Sequence, residues 1–363
     1  MAIILAIALA LQVSGTVTDS ESGDALTGVH VFLAGTSVGS TTGTDGAYRF
    51  SIPQGRLEYE LIASMIGYEV VSRVVSADSV SSYQIDFRLT PKTYELDEIG
   101  VSASNEQWLL DLQRFKELVF STTPNAEECI IHEPEQLNLS SNPRTGLLTA
   151  STERPFSFSN NALGYDVTVH AFSFAADDHT YRWAGFMQFT ELEADGRRQR
   201  RTWDENREKA WRGSARHFLS SLAREESSRE GFHITSVERP GSIRDFRVAP
   251  DPEDAVDVVM ADPRIPAWEL RFNNVLAVTY VKEPEAMEYR VYQDRMGLRQ
   301  REEWEETTGR LLPRNYRYSW LMLNGDYMVF DREGNEYGAY SMQRSGYWAW
   351  ERLCDMMPAG YRP

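Results

Sequence analysis

The sequence predicts a mainly β chain, with a small β-sandwich followed by a larger, strand-rich α+β domain. Three observations carry this expectation. Short segments near the N-terminus alternate apolar and polar residues with a period of two. Turn-forming residues separate those segments at short intervals. Beyond residue 104, apolar positions recur at helical spacing in some stretches and at strand spacing in others.

The sandwich is expected over residues 13–90. Val13, Gly15 and Val17 alternate as one strand, and Val29, Val31 and Leu33 as a second. Tyr48, Phe50 and Ile52 form a third, and Tyr83, Ile85, Phe87 and Leu89 a late one. Such alternation buries one face of each strand and leaves the other wet. Gly23-Asp24, Asp45-Gly46, Pro53-Gln54-Gly55 and Gly67 supply the turns, because glycine reaches positive φ without steric cost.

Ahead of the sandwich, Ile3 to Leu11 is an unbroken apolar run. It is far shorter than the roughly 20 residues a membrane-spanning helix needs. Residues 1–12 are read as a secretory signal, with Ala8-Leu9-Ala10 as the small-residue cleavage site. No Lys or Arg precedes the run, so a start further upstream and a buried first strand remain the other readings. No cysteine lies near this end, which argues against a lipid anchor.

Composition narrows the function classes. A chain of 363 residues with 42% hydrophobic side chains can hold two cores. A net charge of -17 excludes a general nucleic-acid binder, which needs a basic footprint. Among 37 cationic residues only Lys92, Lys116, Lys209 and Lys282 are lysines. An acidic, lysine-poor surface suits a salty medium, and a GC-rich genome gives the same arginine bias. Two cysteines, Cys129 and Cys354, allow one disulfide in an oxidising envelope; two buried thiols are the alternative.

The run VSGTVTDSESGDALTGVHVFLAGTSVGSTTGTDGAYRFSIPQG, with YELIASMIGYEVV after it, resembles the carboxypeptidase-regulatory-like domain of Gram-negative envelope proteins. The resemblance implies a transthyretin-like, seven-stranded, non-catalytic sandwich. Residues 91–104 are expected to be a linker. Within it, Leu96, Asp97, Glu98, Ile99, Val101 and Ala103 resemble the segment that joins this sandwich to the plug of TonB-dependent receptors. A receptor would continue into a plug and a barrel larger than the remaining chain, so transport is not expected. NNALGYDVTVHAFSF, WRGSARHFLSSL and SGYWAWERLCDMMPAGY resemble bacterial carboxypeptidase-like regulatory domain-containing proteins, a resemblance that implies no established activity.

Residues 105–363 are expected to form the second domain. Trp108, Leu109, Leu112, Phe115, Leu118 and Val119 mark a first helix, and strands follow over 129–192. A second helix is expected from a capping box at Thr202-Trp203-Asp204-Glu205, with Trp211, Ala215, Phe218, Leu219 and Leu222 as its stripe and Gly231 as its stop. Strands are expected at 268–281 and 288–293, and a hairpin at 319–337 around Asn324-Gly325. A short helix and a Pro-rich tail close the chain.

Chemical motifs are sparse. His132-Glu133-Pro134-Glu135 spells H-x-x-E, and His170, His179, His217 or His233 could supply a third zinc ligand. Domain order and Pro134 argue instead for a surface loop. His217 could be a general base, but a packed, hydrogen-bonded histidine is the favoured reading. Asp177-Asp178 and Asp251 to Asp254 lack a calcium-loop spacing and read as solvated turns. Arg197, Arg198, Arg200 and Arg201 are a candidate anion-binding cluster for lipopolysaccharide or an acidic partner. Pairing with Asp195, Asp204 and Glu205 is the ordinary alternative. Tyr316, Tyr318, Trp320, Tyr327, Tyr337, Tyr340, Tyr347, Trp348 and Trp350 could build a sugar-stacking platform, although strand alternation favours a core.

The sequence therefore points to an exported, non-enzymatic binding or assembly module of the periplasm, outer membrane or cell surface of a Gram-negative bacterium. Its expected partner is an envelope protein or a glycan. No catalytic residue, metal, cofactor, nucleic acid or transmembrane helix is expected. A carbohydrate-binding protein is the first alternative. A hydrolase or zinc peptidase with an unrecognised site in 105–363 is the second.

Overall fold

The computed structural model describes residues 11–52, 58–76, 82–92, 105–177, 180–238, 247–248, 257–262, 265–273, 275–296, 315–338 and 341–363. The signal segment before Leu11, the Pro53-Gln54-Gly55 turn, the linker residues 93–104, His179, Asp178 and Asp251 to Asp254 lie outside them. The fold is mostly β, as the alternating patterns predict. Two compact units account for it. Unit 1 comprises Met1–Leu118, Ile130–Asn160 and Gly164–Glu193; unit 2 comprises Val119–Cys129, Asn161–Leu163 and Ala194–Pro363.

Unit 1 begins with strands β1 (Leu11–Asp19), β2 (His30–Leu33), β3 (Gly39–Thr41), β4 (Ala47–Ile52), β5 (Glu58–Ser64), β6 (Val71–Ser76), β7 (Ser82–Gln84) and β8 (Phe87–Leu89). One sheet runs β4-β1-β7, with β8 also on β1, and the other runs β3-β2-β5-β6. β7 and β8 pair in parallel with successive stretches of β1, so they are two halves of one strand position and the sandwich has seven. The break has a local cause. A Cβ at Gly15 would sit 1.8 Å from the Ile85 carbonyl oxygen. Beside it, Asp86 Oδ1 accepts the Thr16 backbone N–H at 2.8 Å and its hydroxyl at 3.0 Å. Val13, Val17, Val31, Leu33, Phe87 and Leu89 fill the space between the sheets.

The other face of the β2–β5 sheet is not wet. Phe32 and Ile62, out of phase with the sandwich core, are 0% exposed. Phe32 is covered within unit 1 by a third sheet, built from β9 (Cys129–Ile131), β10 (Asn138–Asn142), β11 (Leu147–Ser151), β12 (Phe156–Asn160), β13 (Tyr165–Ala176) and β14 (Tyr181–Glu191). Its order is β10-β11-β13-β12-β9, with β14 on β13. Thr36 forms a parallel bridge to Gln188 of β14. The Gly35 N–H donates to Met187 O at 2.7 Å, and the Phe189 N–H to Thr36 O at 2.9 Å. The sandwich thus extends the sheet by backbone pairing as well as by packing. Helix α1 (Asn105–Val119) caps the sheet through Phe115, whose ring meets Phe156, Phe172 and Phe174 edge-on at 5.5 to 5.9 Å. Leu109, expected in its buried stripe, is 56% exposed; Asp111, held by Gln107 at 3.0 Å, takes a buried position.

Unit 2 contains α2 (Pro124–Glu127), α3 (Gly196–Trp211), α4 (Ala215–Ala223), β15 (Phe232–Glu238), β16 (Arg247–Val248), β17 (Asp257–Asp262), β18 (Ile265–Arg271), β19 (Val275–Pro284), α5 (Met287–Met296), β20 (Tyr316–Leu323), β21 (Met328–Asp331), β22 (Glu336–Tyr337) and β23 (Met342–Gly346). A β16-β15-β19-β20-β23 sheet and a β17-β18-β21-β22 sheet share a core with α4, where Phe218, Phe232, Leu276, Leu321, Phe330 and Trp348 meet.

Several sequence expectations change here. The second helix starts at Gly196 rather than near Thr202, whose hydroxyl donates to Arg198 O at 3.1 Å instead of capping. The helix also breaks at Gly213, where φ is +76° and a Cβ would fall 2.6 Å from the Tyr280 ring. Ser214 then caps α4 by accepting the His217 N–H at 3.1 Å. Residues 288–293, expected as a strand, lie in α5. Tyr289 and Tyr292 share its inner face at helical spacing, while Val291 is 61% exposed. The 319–337 hairpin does not form, because β20 and β21 enter different sheets. The tight hairpin is β21–β22. There the fully buried Asp331 accepts from the Glu333 and Asn335 backbone N–H groups, the Asn335 amide and the Tyr337 hydroxyl.

Candidate functional site

The candidate site lies on α3, in unit 2. The helix is fixed to the Asn161–Leu163 segment by three side chains that reach three consecutive carbonyls. Trp203 Nε1 donates to Asn161 O at 2.7 Å, Asn206 Nδ2 to Ala162 O at 2.9 Å, and Arg207 Nε to Leu163 O at 2.7 Å. Trp203, Arg207, Ala210 and Trp211 are its buried residues. Residues 196–202 precede this anchor and are all exposed. Arg197, Arg198, Arg200 and Arg201 therefore stand on the first two turns, inside the helix rather than in the preceding loop. Arg201 Nε lies 2.8 Å from Glu205 Oε1, with the two side chains 82% and 54% exposed. Asp204 faces Arg207 at 3.8 Å. An exposed pair such as Arg201–Glu205 contributes little, about 0.3–0.5 kcal/mol. The cluster can present guanidinium donors to an external anion, but it encloses nothing.

Two buried ionic centres also lie in unit 2. Arg317 pairs with Glu283 at 2.7 Å and approaches Glu351 at 3.9 Å, with its guanidinium 4.8 Å from the Tyr347 ring centre. Burial pushes the Glu351 carboxyl up to about 8, against the opposing pull of Arg317. Asp355 is likewise raised by burial, to about 6, although Asn125 donates to it at 2.9 Å. The second centre holds His217. Its Nδ1 accepts the Gly213 N–H at 3.1 Å, which leaves the proton on Nε2, 3.5 Å from Glu230 Oε2. Lys282 takes the same carboxylate oxygen at 3.4 Å. Burial lowers His217 to about 4, so its ring is neutral at pH 7 and holds the Gly213 break together. The His217 centre is the packed, hydrogen-bonded histidine that the sequence favoured. The Arg317 centre was not legible beforehand, since Arg317, Glu283 and Glu351 are far apart in sequence and carry no motif.

The remaining sequence candidates fall into place singly. His132 is exposed; its Nε2 bonds Ser159 Oγ at 2.7 Å, and that hydroxyl donates to Asp166 at 2.5 Å. Glu133 sits at φ +46°. Among the described residues, no group of three His, Cys, Asp or Glu side chains could hold a metal ion. Asp177 accepts from the Thr180 N–H and hydroxyl in an ordinary turn. Tyr318, Trp320, Tyr347, Trp348 and Trp350 are buried and Tyr327 is 47% exposed, so these rings are mainly core. Tyr340 lies outside the described residues. Cys129 and Cys354 are bonded, with Cα atoms 6.6 Å apart. Nearby, Trp350 Nε1 donates to Thr122 Oγ1 at 3.0 Å, a second link between these two stretches of chain.

His170, nominated as a zinc ligand, instead joins the sandwich to the six-stranded sheet of unit 1. Its ring centre is 4.6 Å from that of Phe32; Nδ1 accepts from Ser64 Oγ at 2.8 Å and Nε2 donates to Gln188 Oε1 at 3.3 Å. Burial lowers it from 6.5 to about 4. The unfolded chain therefore binds the extra proton between those values. The stability due to a neutral ring is present above pH 6.5 and is lost as pH falls toward 4. At pH 5 the loss is about 2 kcal/mol. A His170→Gln variant, titrated by thermal melting beside the wild type from pH 7 to 5, is expected to fall less steeply. Parallel curves would contradict this assignment.

Residues 13–101 match the family model of the CarboxypepD_reg-like domain, so the sandwich is a domain of that family. No curated protein matches the chain. Among solved structures, a group B streptococcus pilus 2b backbone protein is 15% identical with a TM-score of 0.20. The match covers 23% of this chain and 42% of that one. A DUF3823 family protein from Bacteroides ovatus is 11% identical, with 51% and 82% covered and a TM-score of 0.18. One from Parabacteroides merdae is 14% identical, with 51% and 79% covered and a TM-score of 0.18. Likenesses at these TM-scores carry no functional argument. Among the described residues, no helix is long and apolar enough to cross a membrane.

Proposed function

We propose that this protein is an exported, non-enzymatic binding or assembly module of the Gram-negative cell envelope. The observation that carries the reading is the regulatory-like sandwich, an accessory fold, joined by Phe32, Gly35 and Thr36 to the six-stranded sheet of unit 1. A domain fused in this way serves as a rigid part of a larger surface. The Cys129–Cys354 bond supports an oxidising compartment. His217 and Arg317, the groups best suited to chemistry in unit 2, are engaged in internal pairs. Cell fractionation followed by crosslinking and mass spectrometry is expected to find the protein in the envelope with recurrent envelope neighbours. Hydrolysis in a broad peptidase and esterase screen would overturn the non-enzymatic part. Binding on a glycan array would name sugars as the ligand.

A further inference from the structure

We infer that the arginine face of α3 is a docking surface for a layer of phosphorylated lipid headgroups. This rests on the envelope reading above and deepens it by naming a partner. Four features point the same way.

The first is mechanical. Residues 196–202 are exposed throughout, yet the helix they begin is pinned at Trp203, Asn206 and Arg207 to three successive carbonyls. Two exposed helical turns are thus carried on an anchored helix.

The second is the sign of the charge. The first turn of α3 contains no acidic residue, while four arginines occupy its first six positions. Cations at the positive end of a helix dipole weaken the helix. Local stability therefore gives no reason for them in a chain of net charge -17.

The third is spacing. Arg197, Arg200 and Arg201 stand at i, i+3 and i+4, on one side of the helix. Arg201 shares its charge with Glu205 across an exposed contact, whereas Arg197 and Arg198 make no ion pair among the described residues. Guanidinium groups donate in a fork that matches phosphate oxygens.

The fourth is what the patch lacks. No large apolar side chain lies between Glu193 and Thr202, so a protein partner would meet arginines alone, with no apolar side chain to build an interface core around. The convex helix end also cannot enclose a small anion. A flat, phosphate-bearing surface meets both conditions.

The test uses the full chain in co-sedimentation with two kinds of vesicle, phosphatidylcholine alone and an equal mixture with phosphatidylglycerol. The wild type is expected to bind only the mixed vesicles, with affinity falling as salt rises. A variant carrying R197Q, R198Q, R200Q and R201Q is expected to bind on the order of 1,000-fold more weakly, at roughly 1 kcal/mol per arginine. It should melt no lower than the wild type, since all four side chains are exposed and their removal relieves the helix dipole. Equal binding by wild type and variant, or none by the wild type, would overturn the inference. So would displacement by millimolar inorganic phosphate at constant ionic strength, which would mark a small-anion site. Fractionation separates the two readings: envelope location without vesicle binding removes only this inference, whereas cytoplasmic location removes the envelope reading whatever the vesicles show.

Discussion

Loss of the Cys129–Cys354 bond, by a Cys129→Ser/Cys354→Ser double substitution or by reduction of the wild type, is expected to destabilise unit 2 by about 3–5 kcal/mol. The bond spans 225 residues, and the chain-entropy account makes long loops the most effective to close, with an upper figure near 5 kcal/mol here. The native state holds the same contacts without it: Asn125 on Asp355 and Trp350 on Thr122. Those contacts are expected to keep the C-terminal turn docked in the reduced protein, which places the loss mainly in the unfolded chain. Urea unfolding followed by tryptophan fluorescence should show the double variant and the reduced wild type at one lowered midpoint. An unchanged midpoint in both would mean that the bond does not constrain this unit.

Phe32→Ala is the second large effect. Truncation of a fully buried phenylalanine costs about 3–5 kcal/mol. Here the loss has a particular address. Phe32 points away from the sandwich core of Val31 and Leu33, onto His170. The sandwich interior should survive, while the junction with the six-stranded sheet loosens. Hydrogen exchange at the Gly35 and Phe189 amides, which cross that junction, should rise by orders of magnitude. With water admitted, the His170 ring should titrate closer to 6.5. A loss of about 0.5 kcal/mol, typical of surface sites, would mean that the sandwich is not fused to the sheet.

What the sequence showed and what it hid divide along physical lines. Local patterns were readable: the alternation of Val13 and Val17, the Asp45-Gly46 turn and the spacing of Leu112, Phe115 and Val119 each report a nearby backbone geometry. Phe32 was not readable, because a residue out of phase with its strand gives no hint of the sheet that will cover it. Tyr289 and Val291 imitated strand alternation, and only the exposure of Val291 betrays the helix. Asn324-Gly325 carried a strong hairpin signal, but long-range pairing of β20 with β19 and β23 outweighed it. The arginine cluster was visible as composition. Its presentation on an anchored helix was not, since it depends on Trp203 and Arg207 meeting carbonyls some 40 residues away.

The central claim is that this chain matures in an oxidising envelope as a structural module. Peptide mapping of the protein recovered from fractionated cells, alkylated without reductant, tests it most directly. The account predicts recovery from the envelope fraction with the peptides containing Cys129 and Cys354 linked. Recovery from the cytoplasm with both cysteines alkylated would contradict it.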